Sequence, residues 1–293
     1  MSELKISRVG LAGCGYWGEK LARTLNNLGV LTALCDVDED KLQGLGIQYG
    51  SKVMRFPVYK HMLSALEGVV IATPPRTHYE LAKQALEMGK HVFVEKPMTT
   101  SHAQAMALSD LATKESLNLM VGHIYLHNDG IKRMPIPIGK AELYIQLLNE
   151  GRGPSESTRD VIWAGLPHAC SLALHFFPDM PELVEARREK DRIKATLRYW
   201  NGSVVYLDVG DNTGRKLRRV ELRERDSRYL FNVSSPNICF LRSGVEVKSF
   251  GHNEPYKEPL MEECKAFLEY KGVDLLGPKV VKLIEEIMGA CKA

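Results

Sequence analysis

Along the first 124 residues, short apolar runs alternate with segments whose apolar positions recur every three or four residues. The runs are Val9–Ala12, Leu31–Cys35, Gly68–Thr73, His91–Val94 and Leu119–Gly122. Between them lie helical stretches at 19–28, from Asp38 onward, at Thr77–Met88 with apolar positions 81, 82, 85 and 86, and at Ser101–Ser116. Alternation of this kind predicts a parallel sheet wrapped by helices. Pro74-Pro75 ends the third run, and Gly89 supplies the left-handed cap that closes the third helix.

Beyond residue 124 the pattern changes to period two. Residues 141–148, 193–200, 203–209, 217–223, 228–233 and 237–241 are alternating or β-rich. Asn201-Gly202 between two of them is a strong hairpin signal. A helical segment at 163–176 interrupts this half, and helices at Glu258–Tyr270 and Lys279–Ala290 end it. The expected second domain is α+β, a mainly antiparallel sheet flanked by helices. With 293 residues, two domains are the natural division. We expect them at 1–124 and 125–293, with the two-proline stretch 133–139 as the seam.

One glycine-rich turn gives the first half a chemistry. Val9–Ala12 runs into Gly13-Cys14-Gly15-Tyr16-Trp17-Gly18, a G-x-G-x-x-G that opens onto a helix. Gly13 allows the tight turn, Gly15 allows backbone to approach a pyrophosphate, and Gly18 allows the helix to lie close to the strand. The helix N-terminus offers N–H groups and a positive dipole end to phosphates. The second apolar run ends in Asp36, 18 residues after Gly18, where an acid can accept from the adenosine ribose hydroxyls. Residues 1–124 therefore read as a Rossmann dinucleotide-binding domain. A carboxylate at 36 repels a 2′-phosphate, so NAD is expected over NADP; Lys41 and Arg55 are the nearby cations that would soften that choice.

Net charge is +3, which argues against a dedicated nucleic-acid binder. The charge runs 185–190 and 216–219 read as solvated faces of a helix and a strand. Nothing approaches a membrane-spanning length, and the opening residues lead straight into the first strand, so neither a transmembrane helix nor a signal peptide is expected. The six cysteines at 14, 35, 170, 239, 264 and 291 have no ligand spacing. They read as free thiols of a reducing cytoplasm with no metal site, and Cys14 as a small filler inside the loop.

Ligands of an open α/β sheet bind beyond the carboxyl ends of its strands. Thr73-Pro74-Pro75 through His78, Glu95-Lys96-Pro97 and Gly122-His123 all point there. Lys96, just past a buried strand and held by the following proline, is the leading catalytic candidate. Together the glycine loop, Ala72-Thr73-Pro74-Pro75 with His78, Glu95-Lys96-Pro97 and Val121-Gly122-His123 resemble the glucose–fructose oxidoreductase/inositol dehydrogenase family. Thinner likenesses follow at Asp160–His168 and Pro259–Leu268. The Tyr-Trp-Gly loop and Trp163 look most similar to nucleotide-sugar dehydrogenases.

The resemblance implies that Gly13, Gly15, Tyr16, Trp17, Gly18, Asp36, Thr73, Pro74, His78 and Glu95 hold the cofactor. Lys96 and His168 would flank the nicotinamide as catalytic residues. Substrate, a sugar, cyclitol or nucleotide sugar, would meet Lys96, His123, Asn128, Arg159 and His168. Oxidising a carbinol needs a base to take the hydroxyl proton as hydride leaves carbon, and a lysine desolvated beside a cationic ring suits that task. Family resemblance further implies a homodimer or homotetramer formed through the second sheet.

Two departures open other readings. The family commonly has an aspartate four residues before the histidine and a polar residue just after it; here Ala164 and Ala169 stand there. A weakened or inactive dinucleotide-binding sensor or partner protein is therefore the first alternative. A reductase of a planar substrate, as biliverdin reductases are, is the second.

Overall fold

A computed structural model describes residues 6–150, 161–211, 213–232, 238–242, 245–250, 258–269 and 272–291. The chain divides into two compact units, Met1–His123 with Leu260–Val281, and Ile124–Pro259 with Lys282–Ala293.

The first unit is built from β1 (Val9–Ala12), α1 (Tyr16–Asn27), β2 (Leu31–Cys35), α2 (Glu39–Ile47), β3 (Met54–Phe56), α3 (Tyr59–Leu63), β4 (Gly68–Ile71), α4 (Pro75–Glu87), β5 (His91–Glu95), α5 (His102–Lys114) and β6 (Leu119–Gly122). The six strands lie in the order β3-β2-β1-β4-β5-β6, all parallel. This is the doubly wound order, whose direction reverses between β1 and β4 and leaves a crevice there beyond the strand ends. Strands β1, β4 and β6 are buried along their whole length because helices cover both faces of the sheet.

In the second unit are α6 (Asp129–Arg133), β7 (Ala141–Leu148), α7 (Val161–Ala164), α8 (Leu166–Phe176), β8 (Leu183–Glu189), β9 (Arg192–Arg198), β10 (Val204–Gly210), β11 (Leu217–Glu224), β12 (Ser227–Asn232), β13 (Ile238–Arg242) and β14 (Val245–Phe250). The eight strands run β14-β13-β12-β11-β7-β10-β9-β8, antiparallel except where β7 meets β10. Leu143, Ile145, Leu147, Val205, Leu207, Val209, Val220 and Leu222 are buried on one face, where α8 packs. Gly202 takes φ +77° in the β9–β10 hairpin turn, a conformation glycine adopts without strain.

The chain then returns to the first unit. Helix α9 (Pro259–Glu269) sets Phe267 edge-on to Phe93 of β5, with centroids 5.7 Å apart. After it, Gly272 accepts from Leu119 N–H at 3.1 Å and Asp274 N–H donates back to Leu119 at 2.8 Å, extending the β6 edge. The division between units runs through the last helix, α10 (Leu276–Ala290). The expectation that everything after 125 forms one domain thus differs from the structure at 260–281.

Several element bounds also differ from the sequence reading. Helix α1 begins at Tyr16, with Gly15 as its N-cap, so Gly18 lies inside its first turn. The helical reading of 185–190 is corrected: β8 covers 185–189 as an edge strand, paired among the described residues with β9 and fringed by charge, and Lys190 lies in the turn that follows. The helix expected at 163–176 is broken at Gly165 into α7 and α8. Strands β3 and β14 carried no clear signal. β3 has three residues, two of them exposed, at the sheet's edge.

Candidate functional site

The carboxyl ends of β1, β2, β4, β5 and β6 bring together most of the first unit's expected site residues. The glycine loop follows β1, and its glycines are not equivalent. Gly13 has φ +99°, and a Cβ there would sit 2.6 Å from the Ala72 carbonyl oxygen. A Cβ on Gly18 would run into the Gly13 carbonyl oxygen. On Gly15 it would meet nothing within 4 Å. Two glycines are demanded by the fold, while the third leaves an open cradle at the head of α1. The first N–H groups of a helix have no intrahelical partner, so this cradle fits the pyrophosphate of a dinucleotide.

Asp36, at the end of β2, is tied to that loop. Its Oδ2 accepts the Cys14 N–H at 2.6 Å and its Oδ1 accepts the Asp38 N–H at 2.9 Å. Each carboxylate oxygen keeps a second lone pair for a ribose hydroxyl. The nearby cations are engaged elsewhere, Lys41 with Asp38 at 2.8 Å and Arg55 with Gln43 at 2.6 Å. Cys14 is buried, and burial with the Asp36 charge pushes its thiol up to about 12. It packs the loop and is not a reactive thiol.

Trp17 joins the loop to the end of β5. Its indole N–H donates to Glu95 Oε1 at 2.5 Å, and the Lys96 backbone N–H donates to Glu95 Oε2 at 3.1 Å. Burial pushes the Glu95 carboxyl up, while Trp17 and Lys96 draw it back toward ionisation. Tyr16 stands exposed beside Trp17, with the Lys20 ammonium 4.4 Å from its ring centroid and 5.1 Å from that of Trp17. Lys96 is half-buried, and the Lys96–Pro97 peptide is cis. Its charge acts on Glu95, His78 and His123.

His78 is committed to the backbone. Its Nδ1 faces the Pro97 carbonyl and its Nε2 the Thr73 carbonyl, both at 2.8 Å. Burial pushes it below the usual histidine value, against the pull of the two carbonyls. Expected as a cofactor contact, His78 instead clips the β4–α4 loop to the Lys96–Pro97 turn. Thr73 and Pro74 lie in that loop, with the Thr73 hydroxyl 2.7 Å from the Thr77 hydroxyl. His123 is buried after β6, with neither ring nitrogen hydrogen-bonded among the described residues, and burial pushes it down.

Two expected residues belong to the second unit. Asn128 is buried and caps α6, its Oδ1 accepting the Gly130 N–H at 2.8 Å. Gly130 is required there, since a Cβ would strike the Phe231 ring. His168 lies in the first turn of α8, its ring 4.6 Å from that of Tyr125 and tilted 33° to it. Arg159, with Arg152 and Asp160, lies outside the described residues. The sequence reading missed Glu263, a fully buried acid of α9. Its signal was available: Leu260, Glu263, Cys264 and Phe267 form one apolar stripe with an acid in it. Among the described residues no three His, Cys, Asp or Glu side chains are grouped to hold a metal ion. No helix among them is long and apolar enough to cross a membrane.

The unequal glycines give a direct test. Gly15→Val should leave the melting temperature nearly unchanged and abolish NADH binding in calorimetry, because its side chain fills only the cradle. Gly18→Ala should instead lower the melting temperature. Unchanged NADH affinity in Gly15→Val would remove the cradle from the site.

Residues 7–123 match the model of an oxidoreductase family with an NAD-binding Rossmann fold. UDP-N-acetylglucosamine 3-dehydrogenase of Acidithiobacillus ferrooxidans is 29% identical over 117 residues, 40% of this chain and 37% of that protein. Inositol 2-dehydrogenase/D-chiro-inositol 3-dehydrogenase of Lactiplantibacillus plantarum is 32% identical over 120 residues, 39% of this chain and 34% of that protein. The match thus spans little more than a third of these relatives' length. The solved structure of the Acidithiobacillus enzyme superposes with a TM-score of 0.88 at 22% identity, covering 97% of each chain. Biliverdin reductase of Synechocystis, in complex with biliverdin and NADP+, gives 0.81 at 20% identity over 98% of this chain and 99% of that one. At such identities these likenesses carry the fold of both units. Residues 7–123 therefore form a domain of the type found in the glucose–fructose oxidoreductase/inositol dehydrogenase family of NAD-binding Rossmann-fold oxidoreductases.

Proposed function

We propose that this protein is an NAD-dependent dehydrogenase acting on a ring hydroxyl of a sugar, cyclitol or nucleotide sugar. One observation carries the reading. The open cradle at Gly15 and the lysine past β5 are linked within one unit by Trp17 and Glu95. Gly13, Gly15, Tyr16, Trp17 and Gly18 would hold the pyrophosphate, Asp36 the adenosine ribose, and Thr73, Pro74 and Glu95 the nicotinamide half. When bound, the cofactor supplies the hydride acceptor or donor. Lys96 takes the hydroxyl proton as the alcohol is oxidised and returns it in the reverse direction. His168 assists, and His123, Asn128 and Arg159 contact the substrate. Sugar and cyclitol names among the similar proteins support this substrate class.

Asp36 underlies the choice of NAD. Its two oxygens are anchored by Cys14 and Asp38, so it cannot swing away from a 2′-phosphate without losing both bonds. Arg55 is paired with Gln43, while Lys41 bonds Asp38 and still feels the Asp36 charge.

The open face of the second sheet is the proposed homodimer or homotetramer contact. There Tyr144 stacks on Tyr206 at 4.7 Å, and the Arg223 guanidinium covers Tyr144 at 4.5 Å. Glu221 on the same strand would be raised by burial, but hydrogen bonds from Arg228 and Arg223 and the Arg219 charge hold it at about 2. Such a paired, half-buried face suits a polar contact between copies.

Ala164 and Ala169 support a second reading, a dinucleotide-binding sensor without turnover.

Three measurements follow. NADH should bind at least tenfold more tightly than NADPH in calorimetry; the reverse order would overturn the role of Asp36. Light scattering at micromolar concentration should give a dimer or tetramer, and a monomer would refute the sheet contact. Lys96→Ala should lower kcat by roughly 10²–10⁴ while NADH affinity stays near that of the unmodified protein. Full turnover in that variant would sink Lys96 as the base. NADH binding without turnover of any sugar hydroxyl in the unmodified protein would favour the sensor.

A further inference from the structure

Glu263 has no part in the chemistry above, yet it is among the most thoroughly buried charges of the first unit, at 0% exposure. Neither of its carboxyl oxygens meets a hydrogen-bond partner among the described residues. Register places it. Phe267 packs edge-on against Phe93. Glu263 precedes Phe267 by four residues, about 6 Å along one face of α9. Glu95 follows Phe93 by two, about 6.6 Å along one face of β5. The two offsets coincide when α9 runs against β5, and the Glu95 charge acts on Glu263 as that alignment requires. Glu95 itself lies against β6, where a Cβ on Gly122 would come 3.0 Å from its carboxyl carbon.

Two ionised carboxylates in so dry a space repel each other at considerable cost. The donors decide which one carries the charge. Glu95 receives the Trp17 indole N–H and the Lys96 N–H, bonds that favour a carboxylate. Glu263 receives none, and burial with the Glu95 charge raises it well above the usual carboxyl value. The Lys96 ammonium acts on Glu95 and also on His123, whose other charged neighbour is Asp274.

We propose that Glu95 and Glu263 hold one negative charge between them, with Glu263 a neutral acid that positions Glu95 for Trp17 and Lys96. The pair stands on the geometry of the first unit alone; its consequence for Lys96 rests on the dehydrogenase reading. An ionised Glu263 would press Glu95 away from both donors and loosen the tie between cofactor loop and catalytic turn. Glu263 is a positioning residue, acting through Glu95.

The test uses the full chain without cofactor. A carboxyl whose folded value is raised contributes stability that is complete below its unfolded value and lost as pH rises toward the folded one. Glu263→Gln, a neutral isostere, should therefore gain on the unmodified protein as pH rises. The gap in melting temperature should be larger at pH 8 than at pH 5 by roughly 3 °C or more. His123, pushed down, acts in the opposite direction, so the difference between the two proteins at each pH is the quantity read. On a Glu95→Gln background the same substitution should show a smaller rise, because the charge that raises Glu263 is gone. A gap that does not change with pH overturns the pair. Should Glu263→Gln fail to fold, Glu263→Met is read against the unmodified protein in the same way, and a gap that does not change with pH overturns the pair. A gap that grows with pH in a chain that binds no NADH supports the pair and sinks the dehydrogenase reading, so the two failures are distinguishable.

Discussion

The hydrogen bond from the Trp17 indole to the buried Glu95 carboxylate holds the candidate site together. Trp17 lies in the first turn of α1, after β1, and Glu95 ends β5; β4 separates the two strands in the sheet. Parallel strands each end in a loop free to take its own course, so nothing in sheet geometry brings these loops into register. A charge-assisted bond does so at a fixed length. The bond is also costly to lose. A buried carboxylate stripped of one of its donors costs several kcal/mol. The anchoring of Asp36 by the Cys14 N–H and the bridging of Thr73 and Pro97 by His78 extend the same device. Three side chains on three elements therefore stitch the loops after β1, β2, β4 and β5 into one rigid rim.

Where burial was complete, the fold was legible. Strands β1, β4 and β6 carry continuous apolar runs because both faces are covered, and no surface requirement interrupts them. Edges obscured the rest. Strand β8 offers Leu-Val-Glu-Ala-Arg-Arg-Glu, a string that resembles a solvated helix until its backbone pairing with β9 is known. Its charges serve to prevent further pairing, so the feature that hid the strand is part of its purpose. The return of 260–281 to the first unit was hidden for another reason. An amphipathic helix shows which face is buried but not which sheet buries it, and the contacts of Phe267 with Phe93 and Gly68 settle that for α9.

The candidate site was legible at the level of backbone demands and illegible at the level of partners. Gly18 is forced by the Gly13 carbonyl within the loop's own strand–turn–helix, and Gly13 by its positive φ in the turn as well as by Ala72 after β4, so local spacing suffices to find both. Asp36 follows from the same unit. His78 did not, because a histidine near strand ends reads equally as a ligand contact and as a backbone clip, and the carbonyls it meets are set by tertiary structure. Glu263 is the sharper case. Its position on an apolar stripe marks it as buried, yet its significance arises only beside Glu95, more than 160 residues earlier in the chain.

The break at Gly165 changes what the departures at 164 and 169 mean. Had 163–176 been one helix, position 164 would have stood one turn below His168, and an aspartate there would have oriented the imidazole and lent it charge. In the structure Ala164 ends α7, and His168 lies in the first turn of α8 beyond Gly165. One orienting surface that the second unit supplies is the Tyr125 ring, 4.6 Å away. Burial pushes the Tyr125 phenol up, and Arg218, whose guanidinium also donates to the Leu148 carbonyl at 2.8 Å, draws it back down. Arg218 thus anchors the ring on β7. An aromatic face fixes the plane of an imidazole. Lys96 meets the charge of Glu95 on its own loop, and for that reason the proposed proton transfer rests on Lys96 with His168 assisting.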